Sequence, residues 1–232
     1  MLRRIAAEGL GSLILAATVI GSGIMAAQLS AHNDAVALLA NTFATVAVLA
    51  VLINLLGPIS GAHFNSAVSV VQTLRGEMTW RDSSAYVVTR VCGCCLGMLL
   101  AHGMFGLPLL QASTHMRTGF AQWLSEAVAT GGLVLVVMGH RRPSDAPWLV
   151  AAWIGAAYWF TASTSFANPA ISIARSLTDT FAGIRPTDTP GFIFAQFAGA
   201  LLGLVLGQWL FNRADSPAEN LQPISGAGKT VV

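Results

Sequence analysis

The sequence predicts an all-α membrane protein with six transmembrane helices and two half-helices. Of its 232 residues, 54% are hydrophobic and only 9% are charged, which is too few charges to cover a water-soluble globule of this size. Six apolar stretches are long enough to cross a hydrocarbon core of roughly 30 Å as helices. Two further apolar segments are too short to span and too apolar to be ordinary loops, so each is predicted to be a re-entrant half-helix.

The six predicted spans lie, in chain order, at about 5–30, 34–56, 83–105, 118–140, 146–162 and 190–211. The first is about twice as long as a signal-peptide core and carries Glu8, so we expect a retained helix. Basic residues gather on one side of the alternating spans, which predicts that both termini are cytoplasmic. Those on the cytoplasmic side are Arg3, Arg4, Arg75, Arg81, Arg141, Arg142, Arg213 and Lys229, against Arg117, Arg175 and Arg185 on the other side.

Each of the two short segments begins with an asparagine. Asn65 begins the first, between spans two and three, and Asn168 begins the second, between spans five and six. Asn at an N-cap accepts hydrogen bonds from the first helical turn, and Pro169 suits the first helical position. Helix starts at membrane depth are tolerated where they line a cavity, so two of them predict a lumen. Its centre is assigned to Asn65, Ser66, Asn168 and Pro169.

The chain also repeats itself. Residues 89–97 align with residues 195–203, and Glu8 of span one corresponds to Glu126 of span four. Each half holds three spans, an odd number, so the halves have opposite orientations and the half-helix N-termini meet near the membrane centre. This pattern predicts a solute site at the midplane. We expect one channel domain over 1–232, with repeats at about 5–105 and 118–212 and a tail at 213–232.

At this point the residues carry a family resemblance. The run Ser60-Gly61-Ala62-His63-Phe64-Asn65, the run Asn168-Pro169-Ala170 and the paired glutamates together resemble the aquaporin (major intrinsic protein) family over roughly residues 5–212. The resemblance implies a homotetramer in the lipid bilayer with one pore per subunit, passing water or small neutral solutes down their gradients. It implies neither enzymatic activity, nor a cofactor or metal, nor a nucleic-acid partner. Residues 168–184 resemble a bacterial branch that includes arsenic-resistance channels, which favours the bacterial inner membrane.

The resemblance also assigns a selectivity filter. Counting from the two motifs places it at Thr45, Ala156, Ser165 and Ile171. Water-selective members carry Arg at the place of Ile171 and larger groups at the first two places, so we expect a wider and less polar filter here. A second departure is Ser66, which stands where the family usually has Pro.

Two arginines need a separate explanation. Arg175 follows the second motif's Asn by seven residues and therefore shares its helix face, which predicts a role at the pore mouth; snorkelling to headgroups or a pair with Asp179 are alternatives. Arg90 lies inside span three, where an unpaired Arg costs about 2.5–3.5 kcal/mol. We expect a carboxylate partner for it, Glu8 or Glu126, and the resemblance gives both glutamates a structural role at the re-entrant loops.

A passive broad-filter channel is the favoured function, with glycerol-sized neutral solutes, metalloid hydroxides such as arsenous acid, and water as its solutes. A water-selective aquaporin is the nearest alternative. A coupled secondary transporter also uses inverted repeats, but the sequence places no membrane carboxylate beyond the two paired glutamates. An intramembrane enzyme would need a nucleophile and a base or a metal cluster, and the sequence gives His63 no such partner. A purely structural junction protein is the remaining class.

Overall fold

The computed structural model describes residues 1–140 and 142–211. The predicted tail at 213–232 and the basic residues Arg141, Arg213 and Lys229 lie outside this part of the chain. The described residues form eight α-helices: α1 (Leu2–Leu29), α2 (Asp34–Ser60), α3 (Ser66–Leu74), α4 (Trp80–Met104), α5 (Phe120–Gly139), α6 (Ala146–Phe160), α7 (Pro169–Arg175) and α8 (Thr189–Leu210).

Six of these helices coincide with the predicted spans. Five are long and apolar enough to cross a membrane. The sixth, α6, has 15 residues, roughly 22 Å of helix, and follows a 3₁₀ turn at Pro143–Asp145. The structure extends α2 beyond its predicted end, through Pro58 to Ser60. The two remaining helices, α3 and α7, are the predicted half-helices, with nine and seven residues.

Packing follows the internal repeat. In the first half α1 packs on α4 and α2, and in the second half α5 packs on α8 and α6. The close pairs depend on glycine at equivalent places. A Cβ at Gly97 of α4 would overlap the backbone carbonyl of Leu13, and a Cβ at Gly203 of α8 would overlap that of Gly131. Small residues at such places let membrane helices approach closely. Here they let α4 pack closely on α1 and α8 pack closely on α5.

The half-helices tie the two halves together. The first, α3, contacts α4 of its own half and α8 of the other, while α7 contacts α8 and, across the repeat, α4. Buried apolar residues from both halves form one continuous core, including Leu15, Leu49, Val68, Leu133 and Ile171. The loops that lead into α3 and α7 therefore lie at the centre of the molecule, which is where the candidate site is found.

Candidate functional site: a pore between two half-helices

The loops before the half-helices follow the same unusual backbone path. Ala62 and Phe64 have φ values of 47° and 44°, and the equivalent residues Ser165 and Ala167 have 48° and 47°. Left-handed conformations are unfavourable for residues with a side chain, so something must hold each loop in place. The same strained path in both halves indicates a shared function rather than an accident of one loop.

A buried glutamate holds each loop. Glu8 accepts hydrogen bonds from the backbone N–H groups of His63, at 3.0 Å, and Phe64, at 2.9 Å. Glu126 accepts from the N–H groups of Phe166 and Ala167, both at 2.8 Å. In each glutamate one carboxylate oxygen accepts from the first N–H and the other oxygen accepts from the second. The side chains of Glu8 and Glu126 are both fully buried. Sequence reasoning singled out both glutamates, and the structure places each of them against the loop of its own half.

The two glutamates differ in what else they bind. Arg90 lies beside Glu8, with its Nε and Nη2 both 2.7 Å from Glu8 Oε2. Its Nη1 donates to the Asn65 carbonyl at 2.7 Å. Of the two partners considered from the sequence, the structure selects Glu8. In the second half Gln196 takes the equivalent place and donates to Glu126 at 2.6 Å.

The asparagines cap the half-helices and join the two loops. The side-chain oxygen of Asn65 accepts from Ala67 N at 2.9 Å, and that of Asn168 accepts from Ala170 N at 3.1 Å. Each side-chain amide donates across the molecule, Asn65 to the Ala167 carbonyl at 2.6 Å and Asn168 to the Phe64 carbonyl at 2.7 Å. An Asn amide carries two N–H donors. One N–H of each amide therefore joins the two loops, and the other makes no hydrogen bond with the described residues.

A cavity of about 670 Å³ passes both asparagines. On the side from which α3 enters it is lined by Asn54, Gln72 and His140, and on the side from which α7 enters it is lined by Thr45, Tyr158, Ser165, Ile171 and Arg175. Ser66 and Pro169, which the sequence also assigned to the pore centre, are buried as the first residues of their helices and are not among the residues that line the cavity. Two opposed helix N-termini place partial positive charge at the centre of the cavity, which disfavours a cation there.

Three of the four predicted filter residues line this cavity. Thr45, Ser165 and Ile171 do so, and each is at most 5% exposed. The Ser165 hydroxyl is buried and has no hydrogen-bond partner among the described residues. Ile171 contributes an apolar side chain to the cavity wall.

The assignment of Ala156 to the filter is wrong. Ala156 is exposed on the outer face of α6, while Ile154 and Tyr158, one helical turn apart, face the cavity. The Tyr158 hydroxyl lies 3.4 Å from Thr45 Oγ1. Counting back from the second motif missed this residue because the intervening loop leaves the helix face undetermined. A tyrosine in an otherwise apolar span was the available signal, since a buried hydroxyl usually needs a partner.

Arg175 lies in the cavity wall at the end of α7. It is 3% exposed, so it does not snorkel. Its guanidinium carbon lies 3.3 Å from the centre of the Phe166 ring, and its Nε donates to the Ala182 carbonyl. Asp179, the partner considered from the sequence, instead accepts from the backbone N–H and the hydroxyl of Thr114. These two hydrogen bonds hold the pKa of Asp179 below its usual range.

Comparison with known proteins identifies the family. A sequence profile described as MIP, major intrinsic protein, matches residues 1–158, which is more than half of the chain. The chain belongs to the major intrinsic protein family. An aquaglyceroporin of Rhizobium meliloti (strain 1021), AqpS, is 57% identical over 214 residues, covering 91% of each chain. A probable glycerol uptake facilitator protein of Thermotoga maritima is 24% identical over 232 residues, covering 89% of this chain and 97% of its own.

A solved structure of the family has the same architecture. The X-ray structure of the aquaglyceroporin from Plasmodium falciparum matches with a TM-score of 0.66 at 19% identity, covering 92% of this chain and 97% of that one. The predicted fold class is thereby confirmed. As a member of the major intrinsic protein family, the chain is an integral membrane channel for small neutral solutes and not an enzyme.

Proposed function

We propose that this chain is a broad-filter channel for glycerol-sized neutral solutes, which also passes water and metalloid hydroxides such as arsenous acid. The observation that carries the proposal is Ile171. Its apolar side chain lines the cavity one turn beyond Asn168, at the place where water-selective members carry Arg. An apolar wall offers no hydrogen bonds to water but accommodates the carbon face of a polyol. The 57% identity to a protein named an aquaglyceroporin supports the same solute class.

Polar groups line the same cavity as this apolar side chain. Thr45 Oγ1 donates to the Asn41 carbonyl at 2.9 Å, so the Tyr158 hydroxyl is the donor in its 3.4 Å contact with Thr45, and its oxygen can accept a hydrogen bond from a solute. The unpartnered Ser165 hydroxyl is a second donor and acceptor. A cavity lined by these hydroxyls and by Ile171 matches a polyol, which has a carbon face and several hydroxyl groups.

The test is Ile171→Arg. We expect this variant to lose most of its glycerol and arsenous acid permeability and to keep a measurable water permeability, because a long cation with several donors would fill the constriction. Stopped-flow swelling of proteoliposomes with equal incorporation measures all three. Ile171→Leu, which preserves size and polarity, is the matched control. Glycerol passage that is unaffected by Ile171→Arg would contradict the proposal, and a wild-type channel that passes water but no glycerol would favour the water-selective alternative.

We further propose a homotetramer in a bacterial inner membrane with both termini in the cytoplasm. The family resemblance supports the tetramer, and the distribution of arginines supports the orientation. Light scattering of the detergent-solubilised protein would give the oligomeric state. Labelling of single introduced cysteines in sealed vesicles would give the side on which Arg4 and the outer loop near Arg117 lie.

A further inference from the structure

Arg175 differs from the other buried arginine in having no carboxylate. Among the described residues the ion pairs within 4.0 Å are Arg75–Glu77, Arg90–Glu8 and Arg185–Asp188. Arg90 is neutralised by contact, whereas Arg175 is 3% exposed and meets only a carbonyl and an aromatic ring. A buried cation with no carboxylate in contact is costly. Such a group on a cavity wall indicates function rather than support of the fold.

The surroundings of Arg175 keep its charge on the cavity wall. Phe166, the ring on which it lies, is fixed through its backbone N–H to Glu126 at 2.8 Å. The same ring packs edge-on against Phe192 of α8, with centroids 5.0 Å apart. A guanidinium over an aromatic face is stabilised by the ring's negative face. The Phe166 ring is therefore a fixed platform, which holds the Arg175 side chain in one orientation without cancelling its net charge.

A second arginine uses the same supports. The guanidinium carbon of Arg117 lies 5.3 Å from the Phe166 ring centre, and its Nε donates to the Gly183 carbonyl at 2.9 Å. Arg175 and Arg117 thus donate to consecutive carbonyls, those of Ala182 and Gly183. The two cations are held beside one ring, and like charges in such proximity raise the local positive potential.

We propose that Arg175, reinforced by Arg117, is the cation barrier of this channel, displaced outward from the place of Ile171. Arg175 is four residues beyond Ile171, about 6 Å further along the helix. Charge exclusion and solute selection are then carried out by different residues. Ile171 leaves the constriction wide and apolar, and the guanidinium pair keeps the widened pore closed to cations. This inference rests on the proposed broad-filter function, because only a wide filter needs a separate barrier.

The test measures Na⁺ and glycerol permeability in the same proteoliposomes. Arg175→Gln should raise Na⁺ permeability at least tenfold with glycerol permeability within twofold of wild type, and Arg175→Lys should retain the exclusion. The matched control is Arg185→Gln, which removes an outer-loop arginine whose charge is already paired with Asp188; it should behave as wild type. The double variant Ile171→Arg/Arg175→Gln should exclude Na⁺ again, at the cost of glycerol passage.

Unchanged Na⁺ permeability in a folded Arg175→Gln channel would overturn the proposal. Should that variant fail to fold, Phe166→Leu keeps both arginines and removes their platform, and it should raise Na⁺ permeability several-fold; a folded Phe166→Leu channel as tight as wild type would equally overturn it. The failures of the two proposals are distinguishable. A wild type without glycerol permeability refutes the broad filter and with it the reason for a separate barrier, whereas intact glycerol flux with no effect of Arg175→Gln refutes the barrier alone.

Discussion

In each repeat a buried glutamate and a capping asparagine lie at the half-helix loop, but the buried arginine occupies a different place in the two repeats. In the first repeat Arg90 is in contact with Glu8 and supports the loop of the half-helix. In the second repeat an amide, Gln196, performs that contact, and a buried arginine lies instead at the pore wall, as Arg175. The loop geometry is therefore compatible with either partner. The comparison indicates that the fold accepts a buried arginine against the half-helix loop in one repeat and on the cavity wall in the other.

The same comparison distinguishes the two mouths of the pore. Gln72 and Arg175 each follow the asparagine of their half-helix by seven residues, and both line the cavity. One mouth is therefore neutral at this place and the other is cationic. A solute entering from the α7 side meets the charge before it reaches Ile171, whereas one entering from the α3 side meets both asparagines first.

The largest effect is expected for the contact that differs between the repeats. Arg90→Leu leaves Glu8 buried without its cation, and removing one partner of a buried pair typically costs about 3–5 kcal/mol. Arg90→Gln copies the second repeat and should recover part of that loss by donating to Glu8. Thermal unfolding of the detergent-solubilised protein measures both.

The second repeat supplies the control for that experiment. Gln196→Leu removes a hydrogen bond to a charged group, worth about 1.5–3 kcal/mol, and should cost less than Arg90→Leu. An equal loss in Arg90→Gln and Arg90→Leu would mean that the two repeats are not interchangeable at this contact. An unfolding temperature of Arg90→Leu equal to that of the wild type would contradict the burial of the Arg90–Glu8 pair.

A smaller effect is expected at the pore centre, where the repeats agree. Asn168→Asp keeps the capping oxygen but loses the donor to the Phe64 carbonyl and adds a negative charge beside the cavity. Na⁺ permeability should rise, by less than in Arg175→Gln because the outer barrier remains in series. The unpaired carbonyl should cost about 1–3 kcal/mol of stability. Cation flux into proteoliposomes and thermal unfolding measure the two effects.

Asn65→Asp sharpens the same comparison. Its contacts mirror those of Asn168, so the two variants should leak to a similar extent. A leak in only one of them would show that the halves differ at the centre as well as at the mouths. Tight exclusion in both would place the asparagines away from the conduction path.

What the sequence could predict depended on local chemistry. The caps at Asn65 and Asn168 follow from residue type at a helix start, and the need for a carboxylate beside Arg90 follows from the cost of an unpaired charge in a span, although the sequence left Glu8 and Glu126 as alternatives. Placements that depend on loops could not be predicted. The face of α6 that carries Tyr158 is set by a loop with left-handed residues at Thr164, Ser165 and Ala167.

The contacts of Arg175 could not be predicted from the sequence for the same reason. Its position depends on carbonyls of the loop after α7 and on Arg117, which is distant in the chain and reaches Phe166 only in the folded protein. Spacing placed Arg175 on the correct face of the half-helix, but no local pattern linked it to the aromatic ring. Tertiary contacts between loops leave no periodic trace in the sequence.

The smallest effect is expected at the first residue of the half-helices, which is Ser66 in the first repeat and Pro169 in the second. The N–H of a first helical residue has no intrahelical acceptor, so Pro removes nothing there, and Asn65, with φ −141° and ψ 123°, already has the extended backbone that a following Pro requires. The Ser66 hydroxyl is buried without a partner among the described residues, so its loss is also favourable. Ser66→Pro should stabilise the protein by about 0.4–1 kcal/mol, chiefly by restricting the unfolded chain, and leave glycerol and Na⁺ permeability unchanged. Ser66→Ala separates the two contributions, because it removes the hydroxyl without adding the ring. Thermal unfolding of the three proteins measures the difference; a Ser66→Pro variant less stable than Ser66→Ala would show that the first half-helix is packed too tightly for the ring, and that the repeats diverge even where their backbones coincide.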